Sequence, residues 1–338
     1  MVQETIRSWE TRASSGRISR RLSHALSSAS QGGFPTFAVL PSNIEAVESA
    51  YQFVDGAKQF VALIGPSGWG KSHLLEGTQS ALRARGNSCE LTSAISWVKG
   101  GNKYDSSSVL LVDDVQDIFR HPRAKYQFRL MLERRLRSRK PTMLCFNGVR
   151  MSHAMRALLP LGREWKVTKI SEPGVDEREL IVGQIAAAEK VQLSRPIMRL
   201  IARHLHGNGR SITGALQRLK LYRSDWSSIS DICPACGILM PYLIGCEGWD
   251  PRDQVYESVN QVFERWPKVS GVTPEEITAF ILHESIGITE GDVATFLSIS
   301  PSSVYKRSTK IKKLNGEPLV AALVDECLAT VRLNLGRV

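Results

Sequence analysis

The sequence has no apolar run of the roughly eighteen residues that a membrane-crossing helix needs. Its opening stretch, MVQETIRSWETRASSGRISRRL, lacks the apolar core of a secretory signal. Cysteine is sparse, six in 338 residues, and scattered rather than set at framework spacings, which excludes a disulfide scaffold and points to a reducing compartment. There are no internal repeats. Acidic residues are the minority charge: 33 against 44 Lys and Arg leave a net charge of +11 and a pI near 9.5, a balance that favours a polyanionic partner, nucleic acid above all. Hydrophobic residues at 42% and charged ones at 23% suit an ordinary globular chain, and the length predicts two or three domains.

Residues 1–33 carry Arg7, Arg12, Arg17, Arg20 and Arg21 among serines with little apolar periodicity, and read as a flexible basic arm. Over 34–170, apolar runs alternate with helical patterns, as in a parallel α/β sheet. FVALIG (60–65), VLLVDD (109–114), TMLCFN (142–147) and KVTKI (166–170) read as strands buried on both faces. Residues 171–225 turn helical, 226–253 are turn-rich and read as a linker, and helices fill 254–338.

Residues 65–72, GPSGWGKS, satisfy the phosphate-loop pattern G-x-x-x-x-G-K-[ST] between an expected strand and an expected helix. Gly65, Gly68 and Gly70 let backbone N–H groups turn inward around phosphates, with Pro66, Ser67 and Trp69 between them and His73 just beyond. Lys71 is expected to reach the β- and γ-phosphates and Ser72 to ligate Mg²⁺, while the helix N-terminus adds its dipole. No role for Trp69 follows from the pattern. In VLLVDDVQ the apolar strand delivers Asp113 to the sheet edge as a second Mg²⁺ partner, and Asp114 is placed to polarise an attacking water. ATP or ADP with Mg²⁺ is the expected ligand.

Near the C-terminus, GITEGDVATFLSISPSSVYKRSTKIKKL (287–314) reads as a helix-turn-helix. Thr289 with Asp292 starts one helix; Ser300 caps the next, with Pro301 at its first position. Val293, Phe296 and Leu297, then Val304 and Ile311, make the inward stripes. Ser302, Ser303, Tyr305, Lys306, Arg307, Lys310 and Lys313 are the candidate DNA contacts, small polar groups for base edges and cations for phosphates.

The strings GPSGWGKSHLLEG and LLVDDVQDI together resemble the DnaA replication-initiator branch of the AAA+ ATPases. The resemblance runs over about 34–225 and resumes at the C-terminus. It implies an AAA+ sheet with a helical lid, followed by an all-α helix-turn-helix DNA-binding domain. By that resemblance Asn43, within PSN, lies beside the adenine; Asn147 is the sensor I residue; Arg163 in LGREWKV, with Arg156 nearby as the competing candidate and a surface charge as the alternative, is an arginine finger acting on a neighbour's nucleotide; and Arg210 in GNGRSITGALQRL is the sensor II cation at the γ-phosphate. It further implies weak ATP hydrolysis as a switch, ATP-dependent self-assembly on double-stranded DNA, contact with the replication machinery, and a cytoplasmic, nucleoid-associated location without a membrane partner.

Departures from the family matter. Its R-D-H-T-T signature is replaced by Ile299, Ser300, Pro301, Ser302 and Ser303. The segment between Ser72 and Val109 is short for the family, so the inserted motif that engages single-stranded DNA is expected to be reduced, and the N-terminal arm is short for the helicase-recruiting domain. A DnaA-related regulator of replication or transcription that does not melt DNA, and a helicase-loader or transposition-helper adaptor, are the alternative functions. Two weaker features remain. RHPRAKYQFRLMLERRLRSRK (120–140) is a strongly cationic helix that suits DNA, a neighbouring subunit or plain solvent. Cys233, Cys236 and Cys246 lack the fourth ligand a zinc site needs, and read by default as small buried cysteines in a turn.

Overall fold

Every apolar run named above becomes a strand in the computed structural model, which describes residues 37–100, 104, 106–205, 207–244, 248–266 and 271–337. The basic arm (1–33) and Cys246 lie outside the described residues. Two compact units are divided between Glu177 and Arg178.

The first unit opens with α1 (Ile44–Val54), then β1 (Phe60–Gly65), α2 (Lys71–Ala84), β2 (Cys89–Ser93), α3 (Ala94–Gly100), β3 (Val109–Asp113), α4 (Pro122–Arg137), β4 (Thr142–Asn147), α5 (His153–Leu158) and β5 (Lys166–Lys169). The five strands form one parallel sheet in the order β2-β3-β4-β1-β5. β1 is buried along its whole length, as a central strand covered by helices on both faces must be. Period-two alternation sends Phe60, Ala62, Ile64, Leu110, Val112, Leu144 and Phe146 into one core layer with Trp97, Phe128, Met131 and Leu132. Burying each of the larger of these side chains contributes roughly 1.5–3 kcal/mol.

β5 departs from the reading of a doubly buried strand. It pairs only with β1, and Lys166, Val167 and Lys169 are exposed, as befits an edge. On the cationic helix α4 the buried stripe is Phe128, Met131, Leu132 and Arg135. The Arg135 guanidinium is spent inside the unit: Nε donates to Thr142 Oγ1 at 2.8 Å, and Nη1 and Nη2 to the Ser107 and Pro141 carbonyls at 2.9 and 3.0 Å.

The division falls in the first turn of α6 (Val175–Glu189). The second unit then holds β6 (Gln192–Leu193), α7 (Arg195–His204), α8 (Gly209–Tyr222), β7 (Asp225–Trp226), α9 (Ile232–Leu243), α10 (Pro251–Phe263), α11 (Pro274–Phe280), a π-helical stretch Ile281–Ile286, α12 (Glu290–Leu297), α13 (Pro301–Leu314) and α14 (Pro318–Arg337). Of the stretch expected as a linker, 226–253, the described residues 226–244 carry a strand end and a buried helix of this unit. β7 pairs with β6, and α9 buries Ile232, Cys233, Ala235, Cys236, Leu239 and Leu243. Its Gly237 meets the Ile286 carbonyl so closely that a Cβ there would lie 1.8 Å from that oxygen. Cys233 and Cys236 therefore sit on a helix, not in a turn, and burial pushes both thiols up, away from the thiolate form that metal or redox chemistry needs. His204 stacks on Trp249 with ring centroids 3.7 Å apart.

Candidate nucleotide site and basic helix pair

The C-terminal edge of the sheet gathers the acidic and loop residues. Gly65 pairs with Asn147, and Ser93 with Asp113, so the phosphate loop, Asp113 and Asn147 leave neighbouring strand ends. The loop turns through Gly68 at φ 76° and Gly70 at φ 93°, left-handed positions that glycine occupies without steric cost. A side chain at Gly70 would also strike the Phe37 ring at 2.9 Å, and Phe37 makes an edge contact with His73 at 5.5 Å. The segment before the sheet thus braces the start of α2. Trp69 is buried and Ser67 exposed.

Lys71 is only 6% exposed, and its Nζ donates to the Pro66 carbonyl at 2.8 Å, which holds the ammonium within its own loop. Ser72 Oγ donates to Asp113 Oδ2 at 2.5 Å. A cavity of about 380 Å³, lined by Ser72, Glu76, Thr92, Ser93, Tyr104 and Asp113, opens beside this pair. Two hard oxygen donors side by side at the edge of a polar cavity suit Mg²⁺, which keeps waters and takes phosphate oxygens as its remaining ligands. Among the described residues no group of three or more His, Cys, Asp or Glu is poised to hold a metal unaided.

Asp114 sits just past β3 at φ 49° and ψ 44°, a strained conformation for a residue with a side chain, and its N–H donates to Asp113 Oδ1 at 2.9 Å. Gln116 was not among the expected site residues. Its Nε2 donates to Asp114 Oδ1 at 3.0 Å, and its Oε1 accepts the Asn147 N–H at 2.7 Å. The available signal was the Gln two places after the second acid in the DDVQ string.

Asn43 is buried, with its amide occupied by the chain: Oδ1 accepts from Leu40 N at 2.9 Å and Nδ2 donates to Ala38 O at 2.7 Å. It shapes the loop rather than offering a free side chain. Glu177, also missed by the sequence reading, ties that loop down by accepting Ser42 N at 2.8 Å and Gly174 N at 2.9 Å. A second cavity, of about 390 Å³, lies between Pro41–Ser42 and Ser171–Glu177. Arg163 is exposed on the short turn Gly162–Glu164. That turn is anchored from behind by Trp165, which is buried, packs on Phe60 at 5.4 Å and donates to Pro160 O at 2.9 Å.

In the second unit, Arg210 is exposed in the first turn of α8, whose cap is Asn208 Oδ1 accepting Arg210 N at 3.0 Å. Helices α12 and α13 are joined by Ser298, Ile299 and Ser300, with Ser298 left-handed at φ 55°. Thr289 caps the first helix through Asp292 N at 3.2 Å and Ser300 the second through Ser303 N at 3.3 Å. The first helix buries Val293 and Ala294, while Phe296 and Leu297 are only half-buried; the second buries Val304, Ser308 and Ile311. Ser302, Tyr305, Lys306 and Lys313 are exposed, and Ser303 and Arg307 half-buried. Lys310 is engaged by Glu276 at 2.7 Å, and its neighbour Lys312 by Glu284 at 2.7 Å.

A parallel sheet in this order, with a phosphate loop leaving β1 and an acid at the end of β3, defines a P-loop nucleotide-binding fold of the AAA+ kind. No family model matches the chain. The chromosomal replication initiator protein DnaA of Dechloromonas aromatica is 30% identical over 123 residues, 36% of this chain and 26% of that protein. The DnaA of Thermotoga sp. strain RQ2 is 21% identical over 330 residues, covering 88% of this chain and 75% of the relative. Among solved structures, domain III of the Thermotoga maritima replication initiation protein DnaA superposes with a TM-score of 0.54 at 19% identity, over 62% of this chain and 96% of that one. The chain is thus related in sequence to DnaA-type AAA+ proteins and shares the fold of their domain III. Among the described residues no helix is long and apolar enough to cross a membrane.

Proposed function

We propose that the chain is an ATP-switched DNA-binding protein of the DnaA-related kind, which binds ATP at the phosphate loop and assembles on duplex DNA through the basic helix pair. The observation that carries the nucleotide part is the Ser72–Asp113 pair at 2.5 Å, directly behind the loop lysine. In this reading the N–H groups of 65–72 and the Lys71 ammonium bind the phosphates. Ser72 and Asp113 would hold Mg²⁺, which would offset the charge of the phosphate oxygens. Asp114 orients the attacking water and takes up its proton, and Asn147 fixes the water or the γ-phosphate from the next strand end. Arg163, exposed on its anchored turn, reaches a neighbouring copy's nucleotide, so that ATP favours homo-oligomers. Arg210 senses the γ-phosphate.

The DNA part is supported by the tight, doubly capped turn between α12 and α13 and by the cations on the outer face of α13. Lys306, Arg307 and Lys313 hold phosphates, and Ser302, Ser303 and Tyr305 approach base edges. Lys310 contributes less, because Glu276 already neutralises it. Mapping the chromosomal sites that the chain occupies in cells tests this: discrete duplex sites lost in a Lys306→Ala, Arg307→Ala variant are expected, and a site-free profile refutes it.

One observation favours a narrower role, a regulator that binds duplex DNA without melting it. Between β2 and β3 the described residues hold a single helix, the seven-residue α3, where the family's extra single-strand-binding element would sit. Permanganate footprinting with ATP separates the two readings, since thymine reactivity within the bound site appears only if the duplex opens.

A further inference from the structure

We propose that Gln116 is a positioning residue of the nucleotide site, one that locks the second acid and the Asn147 strand end into a single hydrogen-bonded unit. The proposal rests on the reading of Asp114 as the group that orients the attacking water.

The backbone alone does not tie these parts together. The register between β3 and β4 ends at Val112 and Leu144, so beyond that point Asp113 and Asp114 diverge from the strand that carries Asn147. Asp114 then leaves the sheet through its left-handed turn. Gln116, in the 3₁₀ turn Val115–Arg120, spans the gap. One end of its carboxamide donates to Asp114 Oδ1 at 3.0 Å, and the other accepts the Asn147 N–H at 2.7 Å. Asn147 in turn pairs with Gly65, the first residue of the phosphate loop. A chain of contacts therefore runs from the second acid, through one half-buried amide, to the strand end beside the loop.

The chemistry asks for an amide at this position. A carboxylate can accept from Asn147 but cannot donate to Asp114, and an ammonium can donate but cannot accept. The amide also leaves Asp114 its second carboxylate oxygen, Oδ2, to face a water. Without Gln116 the carboxylate is free to rotate away, and the Asn147 N–H loses its acceptor. A catalytic group held loosely loses rate while ligand affinity is kept.

The test uses the full chain with Gln116→Ala, Gln116→Glu and Asp114→Asn, read three ways: affinity for a fluorescent non-hydrolysable ATP analogue with Mg²⁺, single-turnover ATP hydrolysis, and hydrogen exchange of the Asn147 amide without nucleotide. For Gln116→Ala, analogue affinity within about twofold of wild type, hydrolysis slowed about tenfold and faster Asn147 exchange are expected from the loss of two hydrogen bonds. Gln116→Glu keeps the acceptor, so Asn147 exchange stays slow, while hydrolysis falls as far because two carboxylates now face each other. Wild-type hydrolysis by Gln116→Ala beside an inactive Asp114→Asn overturns the positioning role alone, as does unchanged Asn147 exchange. Wild-type hydrolysis by Asp114→Asn overturns the reading beneath it and the proposal with it.

Discussion

Substituting Gly237 by alanine places one methyl group where the second unit has no room for it. The new Cβ would lie 1.8 Å from the Ile286 carbonyl oxygen and 2.9 Å from its carbon, against the 3.4 Å at which ordinary contact begins. The shortfall is about 1.6 Å, and the atom in the way belongs to backbone, which cannot swing aside as a side-chain tip can. Either α9 or the π-helical stretch must move. Overpacking of this kind costs about 1–3 kcal/mol, and the better helix propensity of alanine returns up to about 1 kcal/mol. With the collision at the severe end, a net loss of about 2 kcal/mol is expected, or a fall of roughly 4–8 °C in the melting temperature of a unit this large. Differential scanning calorimetry reads it directly, with ATP affinity as the measure that the first unit is intact. Gly183→Ala is the control, since its Cβ would meet Met198 Sδ at an ordinary 3.6 Å. A Gly237→Ala protein that melts at or above the wild-type temperature refutes the packing of α9 against Ile286, and with it the place of Ile232–Leu243 in the core of the second unit.

Lys306→Ala with Arg307→Ala should weaken duplex binding and flatten its salt dependence by up to about 1.8 in log–log slope, about 0.9 for each lost phosphate contact; anisotropy titrations at several salt concentrations measure it. Lys310→Ala should change that slope less, because Glu276 already holds the ammonium. Arg163→Ala should leave ATP affinity unchanged and remove ATP-dependent assembly, seen by sedimentation velocity. Burial, with Arg203 adding to it, holds the His204 imidazole down from 6.5 to about 4. The unfolded chain therefore binds a proton that the native one refuses, so stability present above pH 6.5 is lost progressively as pH falls towards 4. Urea melts across that window should show the loss, and His204→Gln should flatten it.

The central strands were legible because burial on both faces leaves a signature that needs no partner to interpret: FVALIG, VLLVD and TMLCFN are continuous apolar runs. β2 carried no such mark, since Cys89 and Thr92 are buried while Glu90 between them is exposed, and CELTS reads equally as loop. The segment 226–253 misled because Pro and Gly usually break structure. A helix buried on most sides has no polar stripe to betray its period, and α9 even accommodates Pro241. The phosphate loop and the acid pair were readable from local strings, whereas the side-chain partners were not. Glu276 lies thirty-four residues before Lys310, and Asn147 thirty-one after Gln116, so only folding brings them together.

Calorimetric titration of ATP with Mg²⁺ into wild type and Lys71→Ala tests most directly whether residues 65–72 and Asp113 form an ATP–Mg²⁺ site. Loss of a charge-assisted contact worth about 1.5–3 kcal/mol predicts an affinity lower by roughly ten- to a hundredfold in the variant. Equal affinities for the two proteins would contradict it.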